Sequence, residues 1–536
     1  MSKNLRALSA RQVHDKTLLE ALNEAAGAAG SPSDEQLRAL ADERLVSRAA
    51  LLGASSFYDF LRSNNRGKRG YICRGTSCML SGRTESARAK LAQGLGEDEI
   101  GEAVCLGRCY SAGGYRRGDC TYDAEHGPGE DGDDVIPIHV EASHSVFCDD
   151  ILDLERFYKS ALSDLGRIAE ELSRSKLRGR GGAGFPFADK LAFCAQSQGE
   201  QKYVVCNGDE GDPGAFSDRY LLEQQPQRVL AGMLAAGRVT GADTGFVYVR
   251  AEYPAALTCV KEAVSAFEKT AAFAQSGFRF RVIRGAGSYV CGEETALLNS
   301  IEGLRPEVRV RPPYPAREGL FGRPTLVSNV ETFAAVPWIL QHGGSAFAAI
   351  GTEESSGSKL ICLDNGFNHP GVHEVDMGTP LKKIIDDYGG GFRRATKAVQ
   401  IGGPLGAVVP IEKIGGLSLD FESFDQEGFR LGHAGMIAIP DEFPMIDFLR
   451  HLFSYMADES CGKCLPCRLG TEKGWRLLKA ACAEKPVDVA TFHDLLDALE
   501  FGSLCGLGAG LPLPVRNIME YFPAELADYF GVGTGE

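Results

Sequence analysis

The first 65 residues carry apolar side chains at the three- and four-residue spacing of amphipathic helices. One apolar group lies at residues 18–22 and a second at 37–45, and the Gly, Ser and Pro of residues 30–33 separate them with a turn. A further helix is expected to begin near Ser47. The pattern predicts a small helical bundle over residues 1–65, with the apolar faces forming its core.

Helical and extended patterns alternate between residues 146 and 350. Apolar runs predict strands at 202–206, 245–250 and 278–284. Helical spacing predicts helices at 151–173, 226–237 and 255–269. Such alternation is typical of an α/β domain with a parallel sheet.

Three further units complete a multidomain α/β chain. Residues 66–145 begin with a short strand at 70–73, followed by a helix at 85–95. Residues 351–440 form a small α+β domain, with strands expected at 359–363, 371–374 and 436–440, a helix at 381–388, and a turn at the glycine-rich run 402–406. Residues 441–536 are predicted to be helical.

Composition and charge exclude several classes of protein. The 536 residues are 44% hydrophobic and 24% charged, as in ordinary globular proteins. The formal net charge of −15 argues against unspecific nucleic-acid binding. Because no apolar run reaches about 18 residues, the sequence predicts no membrane segment, and we expect a cytoplasmic protein.

Residues 177–186 concentrate four glycines within a loop that also contains Arg and Phe. Glycines let backbone N–H groups close on an anion, so the loop is a candidate phosphate cradle rather than a flexible linker. Gly179, Gly181 and Gly184 also match G-x-G-x-x-G. A dinucleotide loop of that type must leave a strand, whereas a helix is predicted here, so a different kind of nucleotide site is indicated.

Polar residues follow the predicted strands of the α/β domain. Asn207, Asp209, Glu210 and Asp212 come after the first strand, where α/β sheets commonly bind ligands. The paired carboxylates Glu293 and Glu294 follow another strand and open a helix, where they could stabilise the helix dipole or bind ribityl or ribose hydroxyls. Glycoside hydrolysis is disfavoured, because neighbours in sequence do not usually face each other across a sugar. Proline-stiffened loops are expected at 311–315 and 323–332.

The C-terminal cysteines have the spacing of an iron–sulfur site. Cys461, Cys464 and Cys467 form C-x2-C-x2-C, and Cys505 follows at a distance. Three thiolates on one tight loop and a remote fourth match the ligation of a [4Fe–4S] cluster. Zinc rarely uses that arrangement.

A second set of cysteines lies near the N-terminus. Cys73 and Cys78 form C-x4-C, and Cys105 and Cys109 form C-x3-C after a predicted helix. Two pairs suit the two irons of a [2Fe–2S] centre. A four-thiolate zinc site, which more typically uses C-x2-C pairs, is the alternative. Together, a phosphate cradle and two iron–sulfur sites predict a flavin-linked electron-transfer protein.

From residue 177 to about 522 the chain closely resembles the NADH-binding flavoprotein subunits of respiratory complex I and the diaphorase subunits of NAD-linked formate dehydrogenases and NAD-reducing hydrogenases. The resemblance rests on GRGGAGF at 179–185, CNGDEGDP at 206–213, GSYVCGEETAL at 287–297, PTLVSNVET at 324–332 and ESCGKCLPCR at 459–468. Residues 1 to about 140 resemble the accompanying thioredoxin-like [2Fe–2S] subunit through Cys73, Cys78, Cys105 and Cys109.

The resemblance implies a Rossmann-like FMN- and NADH-binding domain, a β-grasp-like domain at 351–440 and a helical cluster domain. It implies FMN contacts from Gly179, Arg180, Gly181, Gly182, Ala183, Gly184, Lys190, Asn207, Asp209, Glu210, Tyr289, Gly292, Glu293, Ser328 and Asn329. It implies NADH contacts from Phe185, Phe193, Asp212, Glu294, Arg311 and Tyr314. The family usually has Glu, Lys, Phe and Asn where this chain has Asp212, Arg311, Tyr314 and Ser328.

Hydride would then pass from NADH to FMN, and single electrons would pass to the clusters. Fusion of the two subunit types in one chain favours a soluble complex, and we expect a formate dehydrogenase with a catalytic α-type partner. The alternatives are the diaphorase subunit of an NAD-reducing or electron-bifurcating hydrogenase, a complex I subunit, and a non-catalytic electron-wiring subunit without nucleotide binding.

Overall fold

The computed structural model describes residues 16–127, 135–149, 153, 157, 164–270, 273, 276–483 and 485–531. The first 15 residues of the predicted bundle lie outside this range, as does most of residues 150–163 of the predicted helix 151–173. Within the described residues, every helix is too short or too polar to traverse a lipid bilayer.

The N-terminal segment contains the expected helices, at Leu18–Ala26, Asp34–Arg44 and Arg48–Ser55. Thr17 and Ser33 begin the first two with capping boxes, which satisfy otherwise free backbone N–H groups. The apolar faces of these helices share one core with the parallel sheet of the central unit, residues 146–350, which is described below. The segment predicted to be a separate bundle is therefore a layer on that sheet.

A mixed sheet follows in the predicted 66–145 unit. Its strands are β1 (Gly70–Cys73), β2 (Ile100–Ala103), β3 (Tyr115–Arg117) and β4 (Cys120–Tyr122), in the order β2-β1-β3-β4. β1 and β2 are parallel, and the other neighbours are antiparallel. The helices Thr76–Ser81 and Thr84–Ala92 lie between β1 and β2.

The end of the predicted 66–145 unit joins a different sheet. Strand β5 (Ile138–Val140) pairs in parallel with a strand of the 351–440 unit, more than 200 residues away in sequence. The strand pairing therefore assigns residues 138–140 to the sheet of the 351–440 unit, although the predicted boundary of the N-terminal cysteine unit is residue 145.

The central unit contains a parallel sheet in the order β8-β7-β6-β9. Its strands are β6 (Tyr203–Gly208), β7 (Thr244–Val249), β8 (Arg279–Arg284) and β9 (Thr325–Asn329). The first three confirm predicted strands. The expectation of a loop at 323–332 was wrong, because Leu326 and Val327 are buried in β9 beside β6 and the helix Val330–His342 follows directly.

Helices surround this sheet. They lie at Leu165–Arg174, Phe187–Gln196, Ser217–Gln224, Pro226–Thr240, Pro254–Glu268, Glu294–Ile301, Val330–His342 and Gly344–Ala348. The helices Pro226–Thr240 and Val330–His342 are buried along almost their whole length, together with one face of the sheet. The N-terminal helices cover the opposite face, as expected for a parallel sheet, which buries both faces.

The small unit after residue 350 is a mixed sheet in the order β13-β12-β14-β10-β11-β5. It consists of β10 (Ser358–Leu363), β11 (Gly371–Asp376), β12 (Thr396–Ile401), β13 (Ala407–Pro410) and β14 (Gly435–Pro440) in addition to β5. The predicted helix at 381–388 is present as the α-turn Leu381–Lys383 and the π-helical segment Ile384–Tyr388, and a further helix lies at Phe421–Gln426.

The C-terminal unit is helical, as predicted. Its helices are Met445–Glu459, Leu465–Ala481, Val489–Gly502, Gly506–Gly510, Pro512–Tyr521 and Pro523–Leu526. Short strands at Val487–Asp488 and Phe530–Gly531 pair in parallel beside them.

Candidate functional site

The glycine loop has a closed backbone rather than a linker-like one. Arg178 and Pro186 form an antiparallel bridge. Within it, Gly179 N–H donates to the Phe185 carbonyl at 2.9 Å, and the Arg178 Nε atom donates to the Gly184 carbonyl at 2.7 Å. The loop leaves the helix Leu165–Arg174 and enters the helix Phe187–Gln196, so it lacks the strand that a dinucleotide G-x-G-x-x-G loop requires.

Arg180 places a buried cation in this loop. Its backbone N–H donates to Thr332 Oγ1 at 2.9 Å, and its Nη2 atom donates to the Ser356 carbonyl. Its Nε and Nη1 atoms have no hydrogen-bond partner among the described residues. Burial lowers the pKa of the guanidinium to about 10, so it stays charged at neutral pH and can pair with an anionic ligand.

A cavity of about 560 Å³ opens beside the loop, at the carboxyl ends of β6 and β9. This is where open α/β sheets bind ligands. Many of the predicted site residues line it: Arg180, Gly181, Gly182, Ala183, Asn207, Asp209, Glu210, Asp212, Tyr289, Gly292, Glu293 and Asn329. A volume of this size suits a mononucleotide-sized ligand.

Two of the loop glycines lie where a side chain would be crowded or strained. A Cβ at Gly181 would lie 3.0 Å from the Cβ of Asn329, and Gly182 has φ +110°, which side-chain-bearing residues rarely adopt. Asn329 in turn caps the helix Val330–His342 through Glu331 N–H and Thr332 N–H. The loop backbone therefore lies directly against this helix terminus.

Buried carboxylates form the opposite part of the lining. Burial raises the pKa of Asp209, Glu210 and Asp218 above their ordinary values. Glu210 accepts hydrogen bonds from the backbone N–H groups of Asp218 and Arg219 at 2.9 and 3.1 Å. In the described structure, Asp209 Oδ2 and Glu293 Oε1 lack a hydrogen-bond partner. Such oxygens fit a hydroxyl-rich ligand that donates to them.

Other predicted residues do not line this cavity. Gly179 and Gly184 close the loop behind it, and Ser328 lies within β9. Lys190 Nζ, expected to contact FMN, lies 3.1 Å from Glu294 Oε2. Arg311 Nη1 lies 3.2 Å from the other Glu294 oxygen and 3.7 Å from Glu293 Oε1, so these four side chains form an ionic group.

Three aromatic side chains predicted to contact NADH are solvent-exposed. Phe185, Phe193 and Tyr314 are 43%, 55% and 59% exposed. Exposed rings of this size are available for stacking against a nicotinamide or adenine ring.

The contribution of the 351–440 unit to the cavity was not predicted. Gly402 and Leu405 from the run assigned only to a turn line the cavity, as do Gly432 and His433. The Gly402 and Gly432 backbones touch, so a Cβ at Gly432 would lie 2.7 Å from the Gly402 Cα. The two glycine runs were visible in the sequence, but their approach is a long-range contact that local patterns do not reveal.

Other lining residues also escaped prediction: Arg178, Gly211, Ser217, Asp218, Val290, Phe421, Asp425, Arg430, Gly506 and Leu507. Asp218 illustrates the reason. It lies in a helix, not in one of the conspicuous motifs, and accepts a 2.6 Å hydrogen bond from Asn329 Nδ2.

Asp212 connects the cavity lining to the small unit. Tyr289 Oη donates to Asp212 Oδ1 at 2.6 Å, and His433 Nε2 lies 3.3 Å from Oδ2. A Cβ at Gly403 would lie 2.6 Å from Asp212 Oδ1. Asp212 thus lies between Tyr289 and His433, and Gly403 leaves room for its carboxylate.

The C-terminal cysteines converge as predicted. Cys461, Cys464, Cys467 and Cys505 line one small pocket. Cys464 precedes the helix Leu465–Ala481, whose first turn contains Cys467. Burial raises the pKa of the Cys467 thiol to about 12 and that of Cys505 to about 11, so binding iron must displace their protons.

The cysteine pocket and the large cavity share a wall. Cys505, Val290 and Leu507 line both. A cluster bound by these cysteines would therefore lie directly beside a ligand of the large cavity.

The N-terminal cysteines are also brought together. Cys73, Cys78, Cys105 and Cys109 are buried, and the Sγ atoms of Cys105 and Cys109 are 3.7 Å apart. Backbone N–H groups donate to three of the sulfurs, from Gly75 to Cys73, from Gly114 to Cys78 and from Gly214 to Cys109, at 3.3 to 3.4 Å. Such donors stabilise thiolate ligands.

Comparison with known proteins supports this chemistry. The family model described as the Nuo51 FMN-binding domain matches residues 172–338, and the NADH-ubiquinone oxidoreductase-F iron–sulfur binding region matches residues 447–529. The NADH dehydrogenase [ubiquinone] flavoprotein 1 of Dictyostelium discoideum, a mitochondrial protein, is 34% identical over 415 residues, which are 74% of this chain and 86% of the relative.

Hydrogenase components are similar too. HndC of the NADP-reducing hydrogenase of Solidesulfovibrio fructosivorans is 39% identical over 368 residues, which are 67% of this chain and 75% of the relative. A crystal structure of NAD+-reducing [NiFe]-hydrogenase in the H2-reduced state contains a chain that superposes with a TM-score of 0.87 at 27% identity, covering 97% of this chain and 95% of that chain.

The fold, the cavity and the adjoining cysteine pocket define a flavin- and iron–sulfur-containing oxidoreductase subunit that depends on NAD(H). The chain belongs to the family of NADH-binding FMN and iron–sulfur flavoprotein subunits of complex I and related redox complexes. FMN and a [4Fe–4S] cluster are accordingly its supported cofactors.

Proposed function

We propose that this chain is the diaphorase subunit of a multisubunit oxidoreductase, in which it exchanges hydride with NAD(H) and single electrons with iron–sulfur clusters. The shared wall between the large cavity and the pocket of Cys505 is the observation that carries this proposal. Short separation between a two-electron and a one-electron site is what such a conversion requires.

FMN fits the large cavity. The free Nε and Nη1 atoms of Arg180 suit its phosphate. Asp209 Oδ2 and Glu293 Oε1, which accept no hydrogen bond among the described residues, suit ribityl hydroxyls. When bound there, FMN would supply the capacity to take up a hydride and to give up electrons singly. The residues around it fix its orientation, and the backbone at Gly181 and Gly182 allows close approach.

NAD(H) fits the outer side of the cavity. The exposed rings of Phe185, Phe193 and Tyr314 provide stacking surfaces, and Glu294 and Arg311 provide polar contacts. We infer that Lys190 also holds the Glu294 carboxylate in position.

The N-terminal cysteines fit a [2Fe–2S] centre better than zinc. A single tetrahedral zinc ion with Zn–S bonds of ~2.3 Å would bring its four sulfurs within about 4 Å of one another. In the part of the chain that the structure describes, no three cysteine sulfurs lie within 4.8 Å of one another, although the Cys105 and Cys109 sulfurs form a 3.7 Å pair. Separate pairs suit two irons.

The catalytic partner we infer is an NAD-dependent formate dehydrogenase α-type subunit. The presence of both cysteine sets in one chain supports a complex of the non-respiratory kind. A hydrogenase partner is the second candidate, favoured by the match to the NAD+-reducing [NiFe]-hydrogenase chain over nearly the whole length. Affinity purification of the complex, followed by NAD+ reduction assays with formate and with H2, distinguishes the two.

The diaphorase activity can be tested on the purified full chain. We expect one FMN per chain and NADH-dependent ferricyanide reduction that disappears when FMN is removed and returns when it is added back. A chain that holds clusters but no flavin, and shows no NADH-dependent turnover, would instead be an electron-wiring subunit.

Substitution Cys464→Ser tests the route of the electrons. Loss of one thiolate should abolish the [4Fe–4S] signal in electron paramagnetic resonance, while NADH still bleaches the flavin. Cys482→Ser is the matched control, because Cys482 is exposed and lies at the C-terminal end of the helix Leu465–Ala481, away from the cysteine pocket. Unchanged iron content and spectrum in the Cys464 variant would contradict the cluster assignment.

A further inference from the structure

A second group of metal-ligating side chains lies away from both cysteine sets, on the sheet of the small unit. His139 in β5 is directly opposite His373 in β11, and their rings stack with centroids 4.3 Å apart and planes at 17°. Glu141 lies two residues beyond His139, so its side chain points to the same face of the strand. One ligand atom from each of the three residues lies within 4.8 Å of the others.

His373 has an unused nitrogen in this group. The residue is fully buried, and its Nε2 atom is 3.0 Å from the His369 carbonyl oxygen. Because a carbonyl can only accept, Nε2 carries the proton and Nδ1 presents a lone pair. Nδ1 has no hydrogen-bond partner among the described residues.

A ring with one N–H bonded to a backbone carbonyl and the other nitrogen free is typical of metal-bound histidines. A histidine ligand commonly donates its other N–H to a backbone carbonyl, which fixes the tautomer and the ring orientation. Burial also lowers the pKa of His373 to about 4, so the ring is neutral and able to bind a metal at physiological pH. A buried, unpaired nitrogen would otherwise be a cost to folding without compensation.

We propose that His139, Glu141 and His373 bind a zinc ion, with water as the fourth ligand. Two imidazole nitrogens and one carboxylate are a common zinc ligand set, whereas magnesium and calcium prefer oxygen ligands alone. The exposure of Glu141 leaves one side of the site open to solvent.

The ion would link β5 to β11 and so stabilise the edge of the sheet. β5 is a short edge strand that pairs with β11 through three residue pairs, extended by a 2.9 Å hydrogen bond from Glu141 N–H to the Glu374 carbonyl. With ligands on both strands, the ion links the segment that follows the N-terminal cysteine unit to the small unit. The site is therefore structural, and its loss should leave diaphorase activity in place.

Zinc binding can be measured on the full chain with its clusters and flavin in place, by equilibrium dialysis against ZnCl2 and elemental analysis of zinc and iron. We expect one zinc per chain in the wild type, and binding weakened at least about tenfold in His139→Gln and Glu141→Gln. Exposed His144→Gln is the matched control and should bind as the wild type does. Iron content should be the same in all four proteins, which excludes displacement of cluster iron by zinc.

Hydrogen exchange provides an independent readout. Zinc should slow amide exchange in peptides covering residues 138–141 of the wild type but not of His139→Gln. Equal zinc binding in all four proteins, no zinc binding in the wild type, or equal protection of the strand in both proteins would each overturn the proposal.

Discussion

Glu293 and Glu294 are adjacent in sequence but have different surroundings. Glu293 caps the helix Glu294–Ile301, since its Oε2 atom accepts from Thr295 N–H and Ala296 N–H at 2.9 Å. Its Oε1 atom accepts no hydrogen bond among the described residues and lies 3.7 Å from Arg311 Nη1. Glu294 instead bridges the side chains of Lys190 and Arg311. Helix capping thus accounts for Glu293 Oε2, and the proposed ligand contact concerns Oε1.

Substitution Glu294→Ala should weaken NADH-dependent reduction without loss of FMN. The change removes a polar contact and releases Lys190 and Arg311 from their shared partner. We expect KM for NADH to rise about tenfold, which corresponds to ~1.4 kcal/mol. Steady-state kinetics with flavin quantification checks this.

Exposed Glu318→Ala is the control for this experiment and should leave KM unchanged. Loss of FMN from the Glu294 variant would place this residue in the flavin site instead, and unchanged kinetics would remove it from the NADH site.

Two helices of the central unit approach unusually closely. Gly232 in Pro226–Thr240 faces the backbone of Phe333 in Val330–His342, and a Cβ at Gly232 would lie 1.9 Å from the Phe333 carbonyl oxygen. The second helix begins at Asn329, whose side chain lines the cavity. The packing of these helices therefore positions part of the cavity lining.

Substitution Gly232→Ala should destabilise the protein, because the added methyl group must push the helices apart. Overpacking of this kind costs about 1–3 kcal/mol. A lower thermal midpoint and weaker FMN retention are expected, measured by circular dichroism and flavin fluorescence.

Gly53→Ala is the matched control. Gly53 also lies within a helix, Arg48–Ser55, but a Cβ there would meet nothing within 4 Å. Alanine favours a helix over glycine by roughly 0.5–1 kcal/mol, so this variant should be as stable as the wild type or more so. Equal effects of the two substitutions would contradict the packing argument.

Strand β9 shows how far local patterns could predict the elements. The other strands of its sheet, β6, β7 and β8, were predicted, since each is an apolar run followed by a helical pattern. The residues of β9 lie between Pro324 and a helix, and their pattern predicted a loop. Their extended conformation comes from pairing with β6, about 120 residues earlier, which no short window contains.

At the scale of the molecule, a buried contact joins the N-terminal cysteine unit to the small unit. Ser77, next to Cys78, donates through Oγ to Asp364 Oδ2 at 2.8 Å. Gly366 N–H and Ala438 N–H donate to Oδ1 at 3.0 and 3.2 Å. Burial outweighs these hydrogen bonds and raises the pKa of Asp364 to about 7.

This shift predicts a pH-dependent stability. Between an unfolded pKa of 3.8 and the folded value of about 7, the folded chain retains a proton that the unfolded chain loses. The stability contributed by Asp364 is therefore present at low pH and is lost as the pH rises through this window, by at most about 1.4 kcal/mol per pH unit.

Substitution Asp364→Asn removes the titration while retaining a similar shape. The thermal midpoint of the wild type, relative to that of the variant, should fall as the pH rises from 5 to 7. Differential scanning calorimetry at several pH values measures this difference. Parallel profiles for the two proteins would show that Asp364 does not titrate in the folded state over this range.

The sequence by itself determined features that depend on neighbouring residues: many of the helices, three strands of the parallel sheet, the glycine loop and the spacing of the cysteines. These follow from backbone preferences and side-chain periodicity over short windows. Tertiary structure alone decided that the N-terminal helices cover the sheet, that β5 joins the small unit and that Gly402 and Gly432 complete the cavity. Each of these is a contact between segments distant in sequence, and its free energy comes from burying surfaces that are complementary only in the folded chain.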